Sequence, residues 1–470
     1  MKTELLSKEV ISRLQQIVGP SFLFLDEETR NNYGRDETED YVFPPGVVLK
    51  PASAEEISAI LKLANDYKIP VTPFGGKTGL SGGALSIHQG IGLSMERFNK
   101  ILHIDEQNLQ VMVEPGVVTQ TLQEAVLEKG LFYPPDPSSR GSCFIGGNVA
   151  ENAGGARAVK YGVTKDYVLN LEVVLPTGEI VWTGANTLKN STGYNLTQLM
   201  VGSEGTLGVI TKIVIKLLPK NTHNVLMLVP FFNSSQACEA VAQIFKAGIT
   251  PSALEFMERD AIDWTLRFID GVSLNIKDEV EAHLLIEVDG NYPDVLFSEA
   301  EKITGVLEQF AIDEILFADS EDQKNALWKL RRAVAEAVKS NSVYKEEDTV
   351  VPRYELPRLL EGIKSIGNKY GFKSVCYGHA GDGNLHVNIV KGDMSDEDWK
   401  TEIPKGIREI FELTVSLKGT LSGEQGMGYV QKNYMDIAFS PTQLLLMKNI
   451  KNCFDPNNIL NPGKVLPDSI

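Results

Sequence analysis

The sequence predicts an α+β protein built in two parts. Short β-branched runs punctuated by three glycine-rich loops fill its first half. Strands alternating with long amphipathic helices fill its second half, and a polar stretch near residue 219 separates the two.

Residues 4–17 place Leu5, Leu6, Val10, Leu14 and Ile17 on or near one helical face, and a polar stretch, 26–40, follows. Val47, Val48 and Leu49 read as a strand. Ser53 and Glu56 form a capping box, and Ile57, Ile60, Leu61 and Ala64 recur at helical spacing. Residues 69–72 read as the next strand, completing a β-α-β unit that a glycine-rich loop closes. Short strands are expected at 91–93, 101–104 and 109–113, and a helix at 119–129 ending at Gly130. Strands at 169–175, 179–182 and 209–218 complete the half. Beyond it, strands at 226–230, 254–257, 283–288 and 314–317 alternate with helices near 235–247, 293–310 and 322–340. That alternation points to an antiparallel sheet with helices on one face, followed by a C-terminal helical segment. The expected divisions are a helical lead over 1–40, a first domain over 41–219 and a second over 220–470.

At about 150 residues per domain, a chain of 470 implies two to four domains. A hydrophobic share of 43% with 23% charge excludes a disordered chain. The 45 Lys+Arg against 62 Asp+Glu leave a net charge of -17, so no nucleic-acid partner is expected. Cys143, Cys238, Cys376 and Cys453 lack metal, redox or iron–sulfur spacing and read as buried free thiols. No apolar run is long enough to span a membrane, and residues 1–18 lack a secretory core. The expected location is therefore cytoplasmic.

The first glycine loop, 73–83, reads PFGGKTGLSGG. Glycine lets backbone N–H groups close on a phosphate as an anion nest. Gly76-Lys77-Thr78 imitates a P-loop ending, but the first glycine of that motif would fall on Val71. A Rossmann fingerprint is absent. A second loop covers 134–155 and a third covers 201–208. Three such loops in one domain suit an extended ligand with a diphosphate, gripped along its length.

In the second half, HAGDGNLHVN carries two of only six histidines. Asp382-Gly383 reads as a two-residue type I′ turn. That turn would face His379 with His386, their Cβ atoms about 4.5–5.5 Å apart. Two imidazoles so placed could share a metal, or one could be a buried, hydrogen-bonded structural histidine. Alternation puts Asn388 on the face of His386, and Leu385, Val387 and Ile389 on the other. Glu424, in a glycine-rich turn, is either a surface carboxylate or a third ligand. Lys329-Leu330-Arg331-Arg332 lies on a helix starting near Asp322, either as a solvated basic face or as an anion grip.

The three loops, with Tyr161-Gly162 between the last two, resemble the FAD-binding domain of the vanillyl-alcohol oxidase and p-cresol methylhydroxylase superfamily. The second half is similar to the C-terminal domain of its FAD-linked oxidases. The resemblance runs from about Tyr41 to Pro467. Its branches include the glycolate oxidase D-subunit, flavin D-lactate dehydrogenase and D-2-hydroxyglutarate dehydrogenase. It implies a two-part FAD-binding domain of the p-cresol methylhydroxylase type, followed by an antiparallel-sheet cap for substrate.

By that resemblance Pro73, Gly75, Gly76, Thr78, Gly79, Ser81 and Gly82 would cradle the diphosphate of FAD. Pro137, Ser138, Gly141, Gly146, Gly147, Asn152, Gly154 and Gly155 would line the ribityl chain and flavin. Val209 and Ile210 would pack near the adenine or ring edge, and Asn461 would reach the isoalloxazine. The FAD would be non-covalent, since no His or Cys sits in the first loop. His379, His386 and Glu424 would bind a divalent metal, zinc or manganese. Arg331, with Arg332 as its alternate and Lys345 as a weaker candidate, would grip a substrate carboxylate, and Asn388 would contact substrate. One departure stands out: the family usually has histidine, the proton acceptor, where this chain has Gln425.

The implied reaction is oxidation of a small D-2-hydroxy acid (D-lactate, glycolate or D-2-hydroxyglutarate) to the 2-oxo acid. Electrons would pass to an iron–sulfur subunit, an electron-transfer flavoprotein or a quinone. A homodimer, and a peripheral seat on the inner membrane face through a partner, are among the implied assemblies. Two readings compete: a non-catalytic flavin-binding subunit, and a non-redox enzyme like the alkyl-glycerone-phosphate synthases.

Overall fold

The computed structural model describes residues 6–38 and 41–469. The first helix runs Lys8–Val18, with Ser7 accepting from the Val10 N–H as its cap; positions 4 and 5 of the expected helix lie outside the described residues. The chain forms two compact units. One holds the residues up to Ala153, Val163–Lys220 and those from Glu424 onward; the other holds Gly154–Gly162 and Asn221–Gly423.

The first unit contains two main sheets. In one, strands Val47–Leu49 and Val71–Phe74 both run parallel to Ile91–Ser94 between them. Helix Ala54–Tyr67 crosses from one to the next. Ser53 caps it by accepting the Glu56 N–H, while Glu56 reaches back to the Ala52 N–H. Ile57, Ile60, Leu61 and Ala64 are buried against Val47, Leu49, Ile91 and Leu93. The other sheet is antiparallel, in the order Ile101–Asp105, Gln110–Val113, Val209–Lys216, Val168–Val174, Ile180–Trp182.

A division at 219 would keep 220–470 together, but packing distributes the chain differently. Ile459 and Leu460 are buried in the core of the first unit, and Leu460 bridges to Val71. Buried Asp455 accepts both their backbone N–H groups. Burial of two such side chains is worth about 1.5–3 kcal/mol each. In exchange, the short segment Gly154–Gly162 packs with the second unit. There Arg157 pairs with Glu287, while Lys160 and Tyr161 both bond Asp289.

The second unit is built on a seven-stranded antiparallel sheet. The order is Leu316–Phe317, His223–Phe231, Ala282–Gly290, Ala253–Glu258, Lys373–Gly378, Asn384–Val390, Tyr344–Val350. The expectation of helices on one face is corrected: they cover both. Alternate residues of Ala253–Glu258 show it. Glu258 bonds Lys364 of helix Leu356–Tyr370, whereas Glu255 pairs with Arg331 of helix Glu321–Arg332. The expected helix 322–340 is interrupted at Ala333, giving Glu321–Arg332 and Val334–Asn341. Strand Tyr344–Val350 was not expected, because Lys345, Glu346, Glu347 and Asp348 hide its period. Cys143, Cys238 and Cys376 are buried thiols as expected, but Cys453 is exposed on helix Pro441–Phe454.

Candidate active site

The glycine loops divide into glycines demanded by the protein's own packing and glycines facing open space. A Cβ on Gly76 would stand 2.5 Å from the Ser142 carbonyl, so this glycine lets the first two loops close on each other. At Gly79 and Gly147 an added Cβ would meet nothing within 4 Å. Packing does not require glycine there, and the open space leaves room for a ligand against the backbone. Ser81, in the first loop, and Ser86, just beyond it, have buried hydroxyls with no hydrogen-bond partner. Unpaired buried hydroxyls cost free energy unless a bound group answers them. The first unit therefore fits a long polar cofactor.

The other expected cofactor contacts are spread through the same loops. Pro73 lies in strand Val71–Phe74, just before Gly75, Gly76, Thr78, Gly79, Ser81 and Gly82. Pro137, Ser138 and Gly141 lie in the loop before helix Ile145–Glu151, which carries Gly146 and Gly147. Asn152 is left-handed at the end of that helix and its side chain accepts the Lys165 N–H. Gly154 and Gly155 open the segment that packs with the second unit. Val209 is core, and Ile210 pairs with Val173. The Asn461 amide donates to the carbonyls of Gly83 and Glu204, and its oxygen accepts from Lys464.

Beside Asn461 lies a buried polar cluster that sequence reasoning missed. Glu204 accepts the N–H groups of Met427 (2.8 Å) and Gly428 (2.7 Å), holding the end of the turn that begins at Glu424. Burial and the neighbouring Glu204 push the Glu151 carboxyl well above the usual range. Lys464 is pulled down to about 8 by burial.

In the second unit the histidines sit on one sheet face, by a different register from the one expected. Tyr377, not His379, stands opposite His386. The connection is a longer loop with a 3₁₀ turn at Ala380–Asp382. Gly383 closes it at φ +80, where a Cβ would stand 1.9 Å from the Val351 carbonyl. That close backbone approach, with Val351 donating to the Gly383 carbonyl, selects the longer loop. The register slips by two residues, and an even slip keeps every side chain on its face. His379 therefore still meets His386, ring centroids 5.4 Å apart and nearly perpendicular.

One ligand atom from each of His379, His386 and Glu424 lies within 4.8 Å of the others. Glu424 follows Gly423 directly, and Gly423 is fixed: Ser422 Oγ and the Gly423 N–H both donate to Asp348 at 2.8 Å. Asp348 also accepts from Asn384 at 2.7 Å and lies 3.7 Å from His386 Nδ1. Gln425 is half-buried in the same turn.

Arg331 is buried, with Nη2 2.7 Å from Glu255 Oε2 and its guanidinium stacked on Tyr377 at 5.2 Å. Neither its Nε nor its Nη2 makes a well-aligned hydrogen bond. Both amide atoms of fully buried Asn388 likewise lack one. Of the alternates for this grip, Arg332 stacks on Trp328, and Lys345 pairs beside Ile389, on the face away from His386. Glu255, which the sequence reading did not single out, is fully buried with both oxygens 2.9 Å from His379 Nδ1. Burial pushes its carboxyl up, but His379 and Arg331 outweigh this and hold it below the usual range. A carboxylate between Leu254 and Phe256 in the strand ALEFME was the signal available.

The first unit has room for a long polar cofactor and the second carries an imidazole–carboxylate–guanidinium site, and the family matches make the chain a flavin-dependent oxidoreductase. The C-terminal domain of FAD linked oxidases matches residues 220–465, and an FAD binding domain matches 45–184. The chain belongs to the FAD-linked oxidase family. It is 38% identical to a D-lactate dehydrogenase of Anaerostipes hadrus over 97% of both chains. It is equally identical to the glycolate oxidase subunit GlcD of Bacillus subtilis, covering 98% of this chain and 97% of that one. Identity to a D-2-hydroxyglutarate dehydrogenase of Stutzerimonas stutzeri is 33%, over 97% and 98%. Among solved structures, p-cresol methylhydroxylase shares the fold with a TM-score of 0.81 at 16% identity, over 98% and 97% of the two chains. Among the described residues no helix is long and apolar enough to cross a membrane.

Proposed function

We propose that this chain oxidises a small D-2-hydroxy acid, such as D-lactate, glycolate or D-2-hydroxyglutarate, to the 2-oxo acid with non-covalent FAD. The observation that supports it best is the meeting of Arg331, Asn388 and the two histidines on one sheet face beside Glu424. This occurs in a chain related along its length to dehydrogenases of such acids.

Two imidazoles and a carboxylate suit zinc or manganese, with positions left for substrate oxygens. The surroundings favour a cation as well. Glu255, Glu346 and Asp348 lie around the histidines together with Glu424, against the buried guanidinium of Arg331. Bound FAD would supply a hydride acceptor for the α-carbon, and a divalent ion held by His379, His386 and Glu424 would make the substrate hydroxyl more acidic, so that its proton could pass to water. Arg331 offers Nε and Nη2 to the substrate carboxylate as a bidentate pair. The Asn388 amide fixes the orientation of the substrate, which supplies proximity. Gln425 can hydrogen-bond to the hydroxyl but cannot take its proton near neutral pH.

The chain has no cysteine cluster to carry electrons onward, so an iron–sulfur subunit, an electron-transfer flavoprotein or a quinone receives them. Anaerobic mixing of the metal-loaded flavoprotein with each of the three acids tests the reading. Bleaching of the flavin by at least one of the three is expected. A flavin that none of them reduces would favour the second reading, a non-catalytic flavin-binding subunit, for which Gln425 speaks.

A further inference from the structure

We infer that Glu255 is the positioning residue that sets both His379 and Arg331, so that metal binding and carboxylate recognition depend on one buried side chain. The inference rests on the metal-dependent hydroxy-acid reading above. Glu255 stands on the middle strand of the seven, with no exposure. A carboxylate taken out of water at such a place is costly unless paired. Its partners are His379 Nδ1, 2.9 Å from each oxygen, and Arg331 Nη2, 2.7 Å from Oε2.

Each partner gains a defined state from it. Committing Nδ1–H to Glu255 leaves the lone pair on Nε2, the nitrogen a metal can use. The charge of Glu255 holds the guanidinium in place on Tyr377, while the Nε and Nη2 donors keep no aligned hydrogen bond of their own. A neutral isostere disturbs both states. It removes the ionic hold on Arg331, and its amide can donate to Nδ1, which selects the wrong tautomer for ligation.

The test compares FAD-loaded wild type, Glu255→Gln and Glu255→Asp. Zinc affinity is measured by competition with a chromophoric chelator, and folding by flavin absorbance and circular dichroism. KM and kcat are then measured at saturating zinc with whichever of the three acids reduces the flavin. Glu255→Gln is expected to lose about 10–100-fold in zinc affinity, the usual effect of an outer-shell partner. It should also raise KM more than it lowers kcat. Glu255→Asp, too short to span both partners, should fall between. Wild-type zinc affinity and KM in Glu255→Gln overturn the inference; if that variant does not fold, the same result in Glu255→Asp does so. Wild type that binds no zinc overturns the metal reading itself and this inference with it, a result distinct from equal binding in all three proteins.

Discussion

Replacing Asp348 by alanine should loosen the turn that carries Glu424, and the size of the effect follows from hydrogen bonds that its carboxylate accepts. Asp348 accepts from Asn384 Nδ2 (2.7 Å), Ser422 Oγ (2.8 Å) and the Gly423 N–H (2.8 Å). Asn384 is buried, so its lost bond leaves a donor without water and costs about 1–3 kcal/mol. Its other amide hydrogen keeps the Thr349 carbonyl. The Gly423 N–H keeps the backbone carbonyl of residue 348 at 3.2 Å, and water takes the place of the carboxylate at exposed Gly423 and half-buried Ser422. Each of those bonds then costs only about 0.5–1 kcal/mol. The sum is about 2–5 kcal/mol, read as a lower urea midpoint for the second unit. With the side-chain bonds to residue 348 gone, the turn holds Glu424 less firmly toward His379 and His386, and zinc affinity should fall by about 10–100-fold. FAD content should not change, since the glycine loops 73–83 and 134–153 belong to the first unit. Asp348→Ala protein with wild-type midpoint and wild-type zinc affinity would show that other contacts set the turn.

Three further outcomes are expected. His386→Ala should lose the ion and most activity while keeping its flavin; equal metal content in variant and wild type would make the histidine pair structural. Gln425→His should speed flavin reduction, by up to about 10²–10⁴-fold if the imidazole acts as general base; rates unchanged across pH would show that another group takes the proton. Glu151→Gln should stabilise the protein at neutral and alkaline pH. Burial raises the folded pKa of Glu151 above its ordinary 4.5, so the folded state binds more protons than the unfolded state above that pH. Wild-type stability therefore falls from about pH 4.5 upward until the raised pKa is passed, at a limiting slope of about 1.4 kcal/mol per pH step of one. Glutamine escapes that loss, and a thermal midpoint gap that does not widen from about pH 4.5 to about pH 7 would refute the assignment.

What the sequence determined by itself is whatever depends on near neighbours. The Ser53 cap, the helix it starts and the glycine loops all depend on residues a few positions apart. So does the parity that puts His386 and Asn388 on one face, because side-chain alternation is a property of a single strand. Parity also protected the histidine reading from its wrong turn, since a slip of two residues changes partners but not faces. Tertiary structure decided the rest. The loop length at Gly383 depends on the carbonyl of Val351, which only strand pairing brings there. Glu255 is 124 residues from His379, and Asp348 is 74 from Ser422. In a linear reading Glu255 is an acid in a strand and Asp348 is one of a run of charges. Their roles arise because burial makes a carboxylate unfavourable until folding supplies a cation, an imidazole or N–H groups to offset it. Ile459 and Leu460 follow the same logic: their burial in the first unit is a choice between apolar surfaces that no local pattern records.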